Sequence, residues 1–168
     1  GRDTVAITEP HPKTFRLTET GVVFPKLGEL RAVFHRPIAG IPNRCTIVRE
    51  VDQWFVSVQC EQDIQEPEPT TRPAVAIDCG VANLLADSDG GLVPNPKHLE
   101  AALTRLARAQ RVVSRRQKGS RRRERATRCV AKLHRKIRRQ RQHLLHVLSH
   151  RYAKSHGVVI VEKLNVAG

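Results

Sequence analysis

A chain of 168 residues has room for one domain of ordinary size, or for one domain and a small neighbour. Its 39% hydrophobic content excludes a disordered tail, and its 4% aromatic content leaves Val, Leu, Ile and Ala to build the core. The net charge is +14, no apolar run approaches the roughly 18 residues of a membrane span, and no signal-peptide pattern opens the chain.

Four cysteines, Cys45, Cys60, Cys79 and Cys129, are widely scattered. None has the Cys-x-x-Cys spacing of a zinc site, and no dense framework points to secretion. They read as free, buried thiols, and the protein as soluble and cytoplasmic. Met is absent, including an initiator, so the sequence reads as a piece of a longer product.

The first 70 residues read as short strands. Val22–Phe24 precedes a turn at Pro25–Gly28, and Leu30–His35 alternates apolar and polar residues before Pro37. Thr46–Glu50 and Trp54–Glu61 are β-rich runs joined by Val51-Asp52-Gln53, a hairpin. Trp54, Val56, Val58 and Cys60 share one face of the second run; Phe55, Ser57, Gln59 and Glu61 share the other. The acid- and proline-rich stretch 62–73 reads as linker sequence. This places a β-rich domain at 1–66, the linker proper at 67–73 and an α/β domain at 74–168.

Ala74–Ile77 is a continuous apolar run, as expected of a strand buried on both faces. Asn83–Asp87 makes a second strand, and Asp89-Gly90-Gly91 turns the chain into Leu92-Val93. Asn95-Pro96 reads as an N-cap followed by proline in the first turn of a helix. Leu99, Ala102, Leu103, Leu106, Ala109 and Val113 then recur at helical spacing until Gln117–Ser120 breaks the pattern. Ala126, Val130, Leu133, Ile137, Leu144, Leu148 and Tyr152 form the stripe of a second helix of about 30 residues, near 45 Å long. Gly157 ends it, and Val158–Val161 is a last apolar strand. Together residues 97–156 predict a helical hairpin inserted between two strands.

The charge is concentrated in that hairpin. Residues 97–154 hold 20 of the 30 Lys+Arg and only two acids, Glu100 and Glu124; the rest of the chain carries a net −4. Solvated helix faces mix signs, because opposite charges at i,i+4 stabilise and like charges repel. Here Arg108, Arg111, Arg115, Arg116, Lys118, Arg121, Arg122, Arg123, Arg125, Arg128, Arg135, Lys136, Arg138, Arg139 and Arg141 have almost no acid to pair with. Such a surface fits a polyanion, and the dominance of Arg suits bidentate phosphate contacts. Few aromatics interleave, so the expected mode is recognition of the nucleic-acid backbone.

Two acids sit at strand ends. Asp78 follows the run 74–77 and Glu162 follows 158–161. In an open α/β sheet functional groups gather at the carboxyl ends of strands. If these strands are adjacent and parallel, both carboxylates emerge at one edge, beside the cationic surface. Two-metal phosphodiester hydrolysis uses carboxylates to hold its ions, and oxygen ligands favour Mg²⁺ or Mn²⁺. Each acid alone reads as a surface carboxylate or a turn residue; the pair is the signal.

The segments Ala76-Ile77-Asp78-Cys79-Gly80-Val81-Ala82-Asn83-Leu84, Asn95-Pro96-Lys97, Ala107-Arg108-Ala109-Gln110-Arg111, Ser114-Arg115-Arg116-Gln117-Lys118-Gly119-Ser120, Leu133-His134-Arg135-Lys136-Ile137 and Val161-Glu162-Lys163-Leu164-Asn165-Val166 resemble the OrfB/TnpB family. These are insertion-sequence proteins with a RuvC-like, RNase H-type nuclease fold, related to compact RNA-guided effectors. Phe24-Pro25-Lys26-Leu27-Gly28 and the hairpin around Trp54 resemble the family's strand-rich, barrel-like domain. The resemblance implies Asp78 and Glu162 as the first two catalytic, metal-holding acids. It implies guide RNA and target DNA as the partners of the basic hairpin, with no small-molecule substrate and no membrane. Family members continue to a four-cysteine zinc ribbon and a third catalytic Asp, neither of which this sequence contains. The expectation is an incomplete site that holds Mg²⁺ or Mn²⁺ weakly, with no zinc site. A catalytically inactive RNA- and DNA-binding remnant or regulator is the alternative, and a ribosome-associated basic protein a third reading that the strand-end acids disfavour.

Overall fold

The computed structural model describes residues 4–11, 13–65 and 70–162. The chain is a mixed α/β protein of two compact units, residues 1–66 and 67–168.

The first unit is all β. β1 (Thr4–Glu9), β5 (Ile41–Glu50) and β6 (Gln53–Glu61) form one antiparallel sheet in the order β1-β5-β6. β2 (Arg16–Thr18), β3 (Gly21–Phe24) and β4 (Gly28–Arg31) form a second, three-stranded antiparallel sheet. Phe15, Val22, Phe24, Cys45 and Ile47 make a single buried cluster drawn from both sheets, with Val56 and Val58 packed against it. The alternation along β6 holds: Val56, Val58 and Cys60 are half-buried while their neighbours are exposed. Trp54 departs from it at 59% exposure, because it lies at the hairpin end, opposite Arg49, whose guanidinium stands 5.9 Å from the ring centre. The strand expected over Leu30–His35 stops at Arg31, six residues short of Pro37.

In the second unit β7 (Ala74–Asp78), β8 (Asn83–Asp87) and β9 (Leu92–Pro94) form an antiparallel meander, and β10 (Val158–Val161) joins parallel to β7, in the order β10-β7-β8-β9. Between β9 and β10 run α1 (His98–Ser114) and α2 (Arg121–Ser155), packed together as a helical hairpin. At 35 residues α2 is longer than its apolar stripe alone suggested. Ala126, Ile137, Leu148 and Tyr152 are its buried members, and Leu106 is the buried member of α1. Leu99 and Leu103, expected on the inner stripe of α1, are about half exposed.

Three local devices shape the hairpin. Ser120 caps α2, its Oγ accepting from the Arg123 amide at 3.2 Å. Gly119, at φ 80, takes the left-handed conformation that lets the chain reverse just before that cap. The third device is an arginine that the sequence assigned to linker. Arg72 donates to the Lys154 carbonyl at 2.6 Å and to the Ala153 carbonyl at 3.3 Å, satisfying acceptors that a helix leaves open at its C-terminus. Gly157 follows closely against Thr70 and Arg72, where a Cβ would collide with the Arg72 carbonyl. Its role is close approach rather than a left-handed cap, since the helix already ends at Ser155.

α2 meets the sheet through Tyr152, which joins Val75, Ile77 and Leu85 in the second core cluster. The Tyr152 hydroxyl donates to Asp87 Oδ2 at 2.6 Å, and Asp87 Oδ1 accepts from the Gly91 and Asp89 amides at 2.6 and 3.1 Å. One carboxylate thus ties the β8–β9 turn to the helix.

The burial expected for β7 and for the cysteines is corrected. Val75 and Ile77 are buried but Ala74 and Ala76 are exposed, so β7 is covered on one face among the described residues. All four residues of β10 are exposed, from Val159 at 40% to Val161 at 62%. The cysteines also divide: Cys45 is buried and Cys60 half-buried, whereas Cys79 and Cys129 are exposed, all as free thiols.

The hydroxyl of Tyr152, followed by the amide of Gly91, holds the Asp87 carboxyl below the usual carboxylate range. A depressed carboxylate stabilises the fold above its unfolded pKa and loses that contribution as pH falls through its folded value. Tyr152→Phe is therefore expected to lower the melting temperature at neutral pH. The gap from the parent should narrow on acidification below about pH 4, measured by thermal denaturation followed by circular dichroism.

Candidate nucleic-acid interface and strand-end acid pair

The register of β7 and β10 decides where the two acids lie. Val161 pairs with Ile77, so the next residues on the two parallel strands are Glu162 and Asp78. Parallel neighbours in register share a face, and adjacent strands lie about 4.8 Å apart. Ile77 is buried and alternation turns Asp78, the last residue of β7, to the opposite face; Glu162 is the residue that follows the end of β10. Both acids are exposed. The expected arrangement of adjacent, parallel strands with the hairpin between them is what the structure contains.

The loop that leaves Asp78 is anchored by a residue assigned another task from sequence. Asn95 Nδ2 donates to the Val81 carbonyl at 3.0 Å, while its Oδ1 accepts from the Lys97 amide at 3.0 Å. Asn95 therefore ties the turn after β7 to the entry of α1. It is not the N-cap: Lys97 holds that position, in the left-handed region at φ 46 and with no side-chain capping bond. The signal that could have been read is the same dipeptide, because an Asx turn before proline is as good a use of Asn as a cap.

Two oxygen-donor carboxylates fit a hard divalent cation by ligand chemistry. They are two, however, and among the described residues no group of three or more His, Cys, Asp or Glu is placed to hold a metal ion.

The cationic residues divide by role. Arg108, Arg111, Arg115, Arg116, Lys118, Arg121, Arg122, Arg125, Arg128, Lys136, Arg138, Arg139 and Arg141 are exposed, and Arg135 is half-buried. Arg123 is half-buried and has a structural task. It donates from one guanidinium nitrogen to the Val113 carbonyl at 2.9 Å and the Arg116 carbonyl at 3.0 Å, clasping the end of α1 to the start of α2. Between Glu124 and Glu162 the sequence contains no Asp or Glu, so α2 carries no acid beyond its first turn. Like charges at i,i+4 destabilise a helix by a few tenths of a kcal/mol per pair, and beyond its first turn α2 supplies no acid of its own to offset them. Lys132, Arg135, Lys136, Arg139, Gln140 and His143 line a shallow groove of about 400 Å³. No helix among the described residues is long and apolar enough to cross a membrane.

A parallel strand pair with an acid at each carboxyl end and a cationic helical hairpin characterise the second unit. Residues 55–168 match the OrfB_IS605 family model, described as "Probable transposase", and the chain belongs to that family. It is 42% identical over 131 residues to a "Putative RNA-guided DNA endonuclease" of Streptomyces pristinaespiralis, an alignment covering 77% of this chain and 32% of that protein. It is 30% identical over 146 residues to the "Putative RNA-guided DNA endonuclease InsQ" of Escherichia coli K12, covering 87% and 36%. A protein of the same description from Mycobacterium tuberculosis H37Rv is 44% identical over 118 residues, covering 67% and 25%. The chain thus spans about a third of the length of these curated relatives or less.

Arg123→Ala separates clasp from grip. We expect it to destabilise the hairpin by about 1 kcal/mol, the usual worth of a hydrogen-bonded group of this kind. The salt dependence of nucleic-acid binding should change less than for an exposed arginine such as Arg125. Chemical denaturation and a salt titration of binding, on the same two variants, measure both effects.

Proposed function

We propose that this chain supplies the RNA- and DNA-gripping surface, and part of a metal-dependent phosphodiester-cleaving site, of a transposon-encoded RNA-guided DNA endonuclease of the OrfB/TnpB type, built on a RuvC-like, RNase H-type sheet. The observation that supports this reading is the parallel register of β7 and β10, which brings the end of the strand carrying Asp78 next to the end of the strand that Glu162 follows, with the acid-poor cationic hairpin in the connection between them. The names of the relatives support the partners: a guide RNA and a DNA target. In such a protein base pairing reads sequence, and the protein reads backbone charge and shape. The exposed arginines of α1 and α2 suit that task. They present planar, permanently charged forks to phosphates without choosing among bases.

Asp78 and Glu162 would hold Mg²⁺ or Mn²⁺, which when bound activates water and stabilises the leaving oxygen of the scissile phosphate. The residues themselves supply hard oxygen ligands at a solvent-open sheet edge, and Asn95 steadies the loop that follows Asp78. Two carboxylates leave coordination positions for further ligands, so the pair forms one part of the complete site. That same count favours a second reading, a binder that grips RNA and DNA without cutting.

Two measurements test these readings. Replacing Arg121, Arg122 and Arg125 together by Ala should flatten the plot of log K against log [salt] by about one unit for each phosphate the variant no longer neutralises. An unchanged slope would move the interface off the hairpin. For catalysis, the 168-residue chain should bind an RNA–DNA hybrid but cleave DNA undetectably with Mg²⁺ or Mn²⁺. In a full-length relative, substitutions at the residues matching Asp78 and Glu162 should abolish cutting and spare RNA binding. Cutting by the short chain that is lost on Asp78→Ala would show that two acids suffice; binding without cutting by the full-length relative would favour the inactive binder.

A further inference from the structure

The cationic residues of α2 fall into a narrower pattern than their number suggests. At 100° per residue, Arg121, Arg125, Arg128, Lys132 and Arg139 share one side of the helix, opposite the buried stripe of Ala126, Ile137 and Leu148. The same side continues beyond Arg141, but its residue type changes. His143, His146 and His150 follow at steps of three and four, and Lys154 ends the row. All three histidines and Lys154 are exposed. His143 already shares the shallow groove with Lys132, Arg135, Lys136 and Arg139.

We infer that the polyanion-binding face of α2 extends through His143, His146 and His150 to Lys154, and that these imidazoles contact nucleic-acid phosphates as protonated donors. The inference rests on the nucleic-acid reading above and lengthens its interface. The added row, from His143 to Lys154, is about 16 Å long at ~1.5 Å per residue. The imidazoles have no hydrogen-bond or ion-pair partner among the described residues, so none of them is committed to holding the fold. Their helical neighbours within reach are cationic or neutral: Arg139 lies four residues before His143, and Lys154 four after His150. α1, β10 and, through Tyr152, strands β7 and β8 pack against α2: Glu100 of α1 pairs with Lys97, Glu162 follows the end of β10, and Asp87 and Asp89 are engaged by Tyr152 and His156, on other sides of the helix from the histidine row. His156 is different, being mostly buried beside Asp89 at 3.2 Å and stacked on Tyr152.

The physical consequence is a linkage. A phosphate backbone laid along the row favours the charged form of any imidazole it contacts, because that form alone brings a positive charge to the phosphate. Binding therefore takes up protons, and affinity rises as pH falls. Histidine is the side chain suited to this role, because it alone changes charge between about pH 5 and 8 without special surroundings.

The test compares the full chain with the variant His143→Gln/His146→Gln/His150→Gln. Gln keeps helix propensity and hydrogen-bonding capacity at exposed sites while never carrying charge. The probe is an RNA–DNA hybrid of about 20 base pairs, followed by fluorescence anisotropy near pH 6 and pH 8 over the same series of salt concentrations at each pH. The parent should bind about tenfold or more tightly at the lower pH, with a salt slope steeper by roughly two units. The variant should match the parent at the higher pH and lose most of that gain. A variant that keeps the full gain, or a parent whose affinity ignores pH while its salt slope stays steep, overturns the extension and leaves the arginine interface standing. A flat salt slope at both pH values instead overturns the nucleic-acid reading itself. Circular dichroism of the variant, expected to equal the parent's, confirms that the helix is intact.

Discussion

The pairing of β10 with β7 is the constraint on which the second unit depends. A parallel pair cannot be closed by a tight turn, so the chain must leave the sheet and return from the far end. Here the return is made by two helices rather than one, and the extra length of α2 carries it well past the sheet. The same pairing puts Asp78 and Glu162 at neighbouring positions, although they are far apart in sequence. One backbone arrangement thus creates both the acid pair and the platform for the cations. The Tyr152–Asp87 bond and the Arg72 clasp keep the returning helix seated on the strands it connects.

Much of this was legible in the residues. The helical spacing of Ala126, Ile137 and Leu148 located the inner face of α2, and alternation along β6 located the core side of the first unit. The acid after each apolar run pointed to one sheet edge, which the parallel register supplies. The missed features depend on tertiary partners. Arg72 sits in proline-rich sequence and takes its role from carbonyls roughly eighty positions away. Arg123 looks like every other arginine of the hairpin until the end of α1 is placed beside it. Asn95 carried a correct turn signal with the wrong geometry attached.

The burial errors have a different cause. A run such as Ala74–Ile77 contains no polar residue to mark an outward face, because Ala tolerates either environment. The structure covers only the side bearing Val75 and Ile77. β10 carries the same ambiguity further, with four aliphatic residues exposed on a strand paired along a single edge. Apolar content sets which strands can be buried; the neighbouring elements decide which are.

The near-absence of acids from the helical hairpin also bears on kinetics. A long body with one sign of charge and few compensating groups produces a field that extends about a Debye length, near 8 Å in physiological salt, beyond its surface. A polyanion drifting nearby is turned and drawn in before any side chain touches it. Such steering raises the rate of encounter far more than it prolongs the complex, whose lifetime is set by short-range contacts. Under the proposed function, the hairpin would find nucleic acid quickly at many positions, the behaviour of a surface that searches before it commits.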